Sequence, residues 1–239
     1  MNSIKSMQNK NINKNYVVAI DGPCATGKST LAKQIAKRLN ITYIDTGAMY
    51  RAVGLYYITN NIELSQESID KNIDKIDIDI IYDGNKNMNV FLNGKNVTEN
   101  IRTSQVSRYA SDVSKYLSVR EKLVKIQQEM GNNKSVVLEG RDIATVVFPN
   151  ADVKLYLTAS YDVRAKRRQL DLKEKNEILS IDEIKKQLEQ RDYNDMHRKY
   201  SPLRKATDAI VLDTSKLTKE EEIDSAIKII KQKLGSMGK

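Results

Sequence analysis

Residues 22–30 read Gly-Pro-Cys-Ala-Thr-Gly-Lys-Ser-Thr and fill every fixed position of the pattern G-x-x-x-x-G-K-[ST]. No other stretch narrows the fold as far. The run before it, Tyr16-Val17-Val18-Ala19-Ile20, predicts a short buried strand. After it, Leu31, Ile35 and Leu39 recur at i, i+4 and i+8, the apolar stripe of a helix. Strand, glycine loop and helix in that order wrap backbone N–H groups around a phosphate chain and set a helix N-terminus behind it. Lys28 is placed to reach β- and γ-phosphates and Ser29 to ligate Mg²⁺. Gly22, Pro23, Cys24, Ala25, Thr26, Gly27, Lys28, Ser29 and Thr30 are the predicted contacts to a nucleoside triphosphate.

Further strand candidates lie at Ile41–Ile44, Val136–Leu138, Val153–Leu157 and Ala209–Leu212, each leading into a helical or loop pattern. Such alternation predicts an α/β chain, a mostly parallel five-stranded sheet flanked by helices. Capping boxes at Ser118–Glu121 and Thr218–Glu221 predict two helix starts. The first helix is expected to end before Gly131, and the second, with the stripe Ile223, Ile227, Ile230 and Leu234, to stop at Gly235. Two segments break the alternation. Within 60–103, Ile76–Tyr82 and Asn89–Leu92 are punctuated by Asp83-Gly84 and Asn93-Gly94, which predicts a small antiparallel insertion. Residues 160–200 are charged and helical, with a capping box at Ser180–Glu183. The core is then 16–59, 104–159 and 201–239. Residues 1–15, rich in Asn and Lys, are expected to form a disordered tail and lack the apolar segment of a secretory signal.

The net charge of +9 admits two kinds of partner, a nucleic acid or a phosphorylated small molecule. Aromatics are 6% and mostly Tyr, with no nucleic-acid-binding signature among them, so charge alone leaves both open. No apolar run nears the ~18 residues of a membrane span. The single cysteine, Cys24, excludes an intrachain disulfide and fits a reducing cytoplasm. It reads as a small loop filler whose thiol pKa a helix N-terminus can lower. The single histidine, His197, has no nucleophile beside it in a catalytic pattern.

Ligands of parallel sheets sit at the carboxyl edge, so the second substrate is sought at the other strand ends. Ile44 leads into Asp45-Thr46-Gly47-Ala48-Met49-Tyr50-Arg51, and Leu138 into Glu139-Gly140-Arg141-Asp142. The charged segment ends in Arg191-Asp192-Tyr193-Asn194-Asp195-Met196-His197-Arg198, where Arg191, Asp195 and Arg198 fall at i, i+4 and i+7 and would share one face if the run is helical. A surface ion network would show the same spacing. Three separate segments that set arginine beside a short polar residue favour a bidentate phosphate site instead. The cluster Arg164, Arg167 and Arg168 reads equally as a solvated helix face or as part of the site.

The motifs form an ordered set: A-I-D-G-P at 19–23, the loop itself, I-D-T-G-A-M-Y-R at 44–51, V-F-L-N-G-K-N-V-T at 90–98, E-N-I-R-T at 99–103, Ser111, V-R-E at 119–121, G-R-D-I at 140–143, V-V-F-P-N-A at 146–151, and Arg191/Asp195/Arg198 before Ser201-Pro202-Leu203. In these the chain resembles the bacterial cytidylate (CMP) kinases of the nucleoside-monophosphate kinase group, across residues 16–234. The resemblance implies Mg²⁺-assisted phosphorylation of CMP and dCMP by ATP. It implies a cytoplasmic monomer whose partners are ATP and CMP or dCMP, with no nucleic acid and no membrane. Residues 60–103 would close over the monophosphate, and 160–200 would be an arginine-rich helical lid over the donor phosphates. Lys28, Arg141, Arg164 and Arg168 would serve catalysis. Arg51, Arg141 and Arg198 would hold the CMP phosphate and Arg191 and Asp195 the ribose. Thr46, Ser111, Arg120 and Asp142 would surround the base, with Tyr50 a further substrate contact.

Ala25, Glu139 and Ala144 depart from the family's more usual glycine, aspartate and glycine, and Asn194 stands where a lid arginine can occur. Cytosine offers an amino donor at C4 and an acceptor at N3, and uracil reverses both. Asp142 can accept only from the former. A buried mispairing costs about 1–3 kcal/mol, which predicts CMP over UMP. The acceptor phosphate, with a second pKa of about 6, needs no base. The competing readings are another small-acceptor P-loop kinase, for UMP or shikimate, and an RNA-bound P-loop GTPase. The absence of an N-K-x-D motif counts against the latter.

Overall fold

A computed structural model describes residues 15–84, 86–174 and 176–237. The tail expected at 1–15 lies, apart from Asn15, outside the described residues. The β-branched run forms β1 (Val17–Asp21), and α1 (Lys28–Leu39) begins where the glycine loop ends. The chain continues through β2 (Thr42–Asp45), α2 (Thr46–Thr59), α3 (Gln66–Asn72), β3 (Ile78–Tyr82), β4 (Met88–Leu92) and β5 (Lys95–Asn96). Then follow α4 (Ser104–Val113), α5 (Leu117–Gly131), β6 (Val136–Gly140), β7 (Val153–Thr158), α6 (Tyr161–Lys173), α7 (Ile181–His197), β8 (Ile210–Asp213) and α8 (Lys219–Met237).

Five of these strands make one sheet in the order β2-β6-β1-β7-β8, and every neighbouring pair is parallel. Burial on both faces explains why the strands read as unbroken apolar runs. Successive residues point to opposite faces. Ala19, Val136 and Leu138 join a core with Met49, Val53 and Leu123, while Val18, Ile20 and Val137 pack with Leu31, Ile35, Leu155 and Ile230. The predicted five-stranded α/β sheet is thus present, with boundaries within a residue or two of those expected.

The insertion is a separate antiparallel sheet, β3-β4-β5, with its turns at the two predicted dipeptides. Ile78, Val90 and Leu92 dock it onto the same core as α2. Residues 160–200 hold α6 and α7, and the Ser180 box forms as expected, Ser180 and Glu183 bonding each other's backbone N–H. The Thr218 box forms likewise.

Three expectations fail, the mildest by one residue: α5 includes Gly131, before which it was expected to end. The Ser118 box does not form: α5 starts from Tyr116, and the Ser118 hydroxyl donates to Asp70 instead, 48 residues away. Gly235 does not stop α8, which runs on to Met237. Nothing lies within 4 Å of a Cβ built at Gly235, so the glycine costs the helix only its intrinsic ~1 kcal/mol. Among the described residues no helix is long and apolar enough to cross a membrane.

Candidate active site

The phosphate loop leaves β1 at Asp21, whose buried carboxylate accepts from the N–H groups of Ile143 and Ala144, each at 2.8 Å. Burial raises this carboxyl to about 6 against the pull of those two bonds. Gly22 sits at φ 150°, and a Cβ there would lie 2.2 Å from the Leu157 carbonyl oxygen, so no larger residue fits. Lys28 folds back over the loop, Nζ donating to the Pro23 carbonyl at 2.7 Å, and the Thr26 hydroxyl donates to the same oxygen at 3.1 Å. Burial, then the charge of Arg141, lowers the Lys28 ammonium to about 7.

A cavity of about 270 Å³ opens between this loop, the carboxyl ends of β2 and β6, α4 and α7. Seven cationic side chains line it against four carboxylates, the balance expected of a site for polyanions. Of the predicted loop contacts, Cys24, Ala25, Lys28 and Ser29 line the cavity. Gly22, Pro23, Thr26 and Gly27 build the loop behind them, and Thr30 is exposed on α1. Four cations press on Cys24, Arg191, Arg141, Lys28 and Arg168, and they outweigh burial to lower its thiol pKa.

The other strand ends meet the loop as the motifs predict. At the end of β2, Asp45 caps α2 through the Ala48 N–H and pairs with Arg51 at 2.7 Å. The Thr46 hydroxyl donates to the Glu139 carbonyl at 2.7 Å. Beyond β6, Arg141 Nε donates to Asp195 at 2.8 Å. Burial would raise the Asp195 carboxyl, but Arg141 and Arg191 overcome it and hold it below the ordinary carboxylate value. Asp142 forms a buried ion pair with Arg120, and Arg198 Nη2 approaches its other oxygen at 3.7 Å. Ser111, Tyr50 and Arg191 line the same cavity. The Tyr50 hydroxyl is buried there with no hydrogen-bond partner, 5.4 Å separating its ring from the Arg120 guanidinium.

Arg168 lines the cavity and Arg164 does not. Arg164 is buried among the helices of 160–200, bonded to Asp192 and to the Cys24 carbonyl. Arg167 is turned to the back of the loop, where it bonds the Thr26 carbonyl at 3.0 Å and Thr214. His197 is exposed and stacks on Tyr193, with ring centroids 4.1 Å apart.

Glu139 is a buried carboxylate at the carboxyl end of β6, beside the loop. The Tyr43 hydroxyl donates to its Oε1 at 2.7 Å, and the Ser29 side chain lies close enough to pull its pKa down. Burial and Asp45 raise its pKa. Among the described residues no three His, Cys, Asp or Glu side chains gather as a metal cage. One hydroxyl and one nearby carboxylate suit Mg²⁺, which takes most of its ligands from water and phosphate oxygens.

Sequence reasoning passed over Tyr43, Asp192 and Thr214. Their partners lie 96, 28 and 188 residues away, so no local pattern marks them. Asp21 was within a quoted motif, but its two backbone partners follow only from the pairing of β1 with β6.

Residues 18–232 match the family model described as cytidylate kinase. A cytidylate kinase of Caldicellulosiruptor saccharolyticus is 47% identical over 224 residues, covering 93% of this chain and 99% of that protein. One of Fusobacterium nucleatum is 47% identical over 219 residues, covering 91% and 98%. Among solved structures, an uncharacterized protein of Eubacterium ventriosum superposes with a TM-score of 0.52 at 12% identity, covering 92% of this chain and 99% of that one. At that identity it supports the fold alone.

Proposed function

The chain belongs to the cytidylate kinase family, and from that premise we propose that it transfers the γ-phosphoryl group of ATP to CMP and dCMP. A phosphate oxygen of the acceptor attacks the γ-phosphorus, the bond to the β–γ bridging oxygen breaks, and ADP leaves beside CDP or dCDP. Asp142 is the observation that carries the acceptor assignment. Its carboxylate is fixed in the cavity by Arg120 and approached by Arg198, which presents an acceptor for the C4 amino group of cytosine and only repulsion for the O4 of uracil.

The residues divide by substrate. Lys28 and the loop N–H groups take the donor phosphates, with Arg168 reaching in from the lid. Arg51, Arg141 and Arg198 take the acceptor phosphate, Arg191 and Asp195 the ribose, and Thr46, Tyr50, Ser111, Arg120 and Asp142 the base. Ser29 and Glu139 are the residues that would hold Mg²⁺, which would supply charge neutralisation at the donor phosphates. The chain's own part is alignment and electrostatic stabilisation, which is most of what phosphoryl transfer requires. Residues 60–103 and 160–200 close over the pair and exclude water. The enzyme works as a cytoplasmic monomer.

Release of ADP measured across CMP, dCMP, UMP, AMP, dTMP and shikimate tests the reading. CMP and dCMP should be the preferred acceptors. A preference for UMP would refute the role of Asp142.

A further inference from the structure

Arg164 belongs by its position in the lid to the arginines that would reach the donor phosphates. Its guanidinium is already committed elsewhere. Nε donates to the Cys24 carbonyl at 2.7 Å, while Nη1 and Nη2 donate to the two carboxylate oxygens of Asp192 at 2.7 and 2.9 Å. The Tyr161 ring lies 4.8 Å from the guanidinium carbon. Arg164 and Asp192 are 3% and 2% exposed, and neither lines the cavity. Arg168, one helical turn further along α6, does.

The group that Arg164 grips is the tip of the phosphate loop. Cys24 and Ala25 pack on the small core of Ala165, Leu172, Ile184 and Leu188 between α6 and α7. Ala25 holds φ at 61°, a left-handed conformation that a side chain disfavours and that needs support from outside the loop. The bond to Cys24 supplies it. A peptide unit is planar and trans, so its carbonyl and the following N–H point in opposite directions. Holding the Cys24 oxygen toward Arg164 turns the Ala25 N–H to the other side, away from the lid core. Asp192 fixes the fork in turn, because a bidentate carboxylate leaves the guanidinium one orientation.

We propose that Arg164, oriented by Asp192, is a positioning residue that sets the phosphate loop through the Cys24 carbonyl. The proposal rests on the reading of that loop as the ATP site.

Equilibrium binding of a non-hydrolysable ATP analogue and, separately, of CMP to the full chain tests it. Asp192→Asn, Arg164→Lys and the double variant are compared with wild type. Each single change should weaken the analogue roughly 10- to 150-fold, the loss expected for one charged hydrogen bond. CMP affinity should stay within about twofold, and the double variant should be no weaker than the poorer single one, as for residues acting through one another. Asp192→Asn binding the analogue like wild type while Arg164→Lys does not would overturn the proposal, since Arg164 would then act on the nucleotide directly. Losses that multiply in the double variant would overturn it as well, and so would a lowered melting temperature with both affinities intact. Should a single variant not fold, the apolar pair Arg164→Met with Asp192→Leu removes both buried charges together. It must show the same selective loss for the analogue, and wild-type affinity there rejects the idea. A wild-type chain that does not bind the ATP analogue at all would instead overturn the donor reading beneath it.

Discussion

Arg120 and Asp142 form an ion pair almost sealed from solvent, with side chains 2% and 6% exposed, at the edge of the cavity. Both border the cavity, yet almost none of either side chain is exposed. Removing one partner of such a pair costs about 3–5 kcal/mol, because the other remains buried and uncompensated. Asp142→Asn should therefore lower the melting temperature. It should also raise the KM for CMP by on the order of 10- to 100-fold, with the KM for ATP within about twofold. Steady-state kinetics with each substrate varied decides this. Equal loss for ATP and CMP would make Asp142 a structural residue only.

Lys28 donates to the Pro23 carbonyl in the structure, and the transfer reaction would ask it to exchange that oxygen for phosphate. Lys28→Ala should lower kcat on the order of 100-fold or more, the scale of losing one preorganised charged donor. The affinity for CMP should hardly change. Single-turnover kinetics with saturating CMP reads the effect, and an intact rate constant would remove Lys28 from the chemistry.

Tyr43 bonds the Glu139 oxygen at 2.7 Å, and its own carbonyl accepts from Tyr82 in the insertion. Tyr43→Phe keeps the ring and the strand and frees the carboxylate to rotate. The gain in ADP affinity on adding Mg²⁺ should shrink about 10-fold, as when the supporting partner of a metal-site group is removed. Metal-free ADP should bind as before. Calorimetry with and without Mg²⁺ separates the two, and an equal change in both would place Tyr43 outside the metal locus.

Asp21 offers a pH test. Burial lifts its carboxyl to about 6 in the fold from about 3.9 unfolded, so the folded chain binds the extra proton in between. Its contribution is fully present below about pH 4 and fades as pH rises through 6, a change of about 3 kcal/mol at most. Asp21→Asn removes that dependence. It also leaves one of the Ile143 and Ala144 N–H groups without its acceptor, at about 1–3 kcal/mol. Urea unfolding should show wild type ahead of the variant by more at pH 5 than at pH 8. A margin that widens toward pH 8 would contradict the assigned shift.

The frame of the molecule was legible where local pattern and tertiary demand coincide. The glycine loop, the apolar strands and the Asp83-Gly84 and Asn93-Gly94 turns each sit where backbone geometry leaves few options. Ser118 shows the opposite case. Its sequence makes a good cap, but Asp70 on α3 competes for the hydroxyl, and that competitor arrives only with the tertiary fold. Gly235 misled because a glycine stops a helix only when something else asks it to. In the cavity, Arg51, Arg141, Asp142, Arg191, Asp195 and Arg198 announced themselves by residue type at strand and helix ends. Arg164 stood in a cluster that read equally as a solvated helix face, and sequence could not distinguish it from Arg168. The difference is a rotation of one turn along α6 and the presence of Asp192 on the facing helix.

Cys24 is the one sulfhydryl in 239 residues, and it faces the cavity from the tip of the loop. A thiol-directed fluorophore therefore has a single address on the native chain, with no cysteine to engineer away. The rate at which the dye attaches reads how open the cavity beside the loop is, and its emission afterwards reports how tightly the helices above have settled.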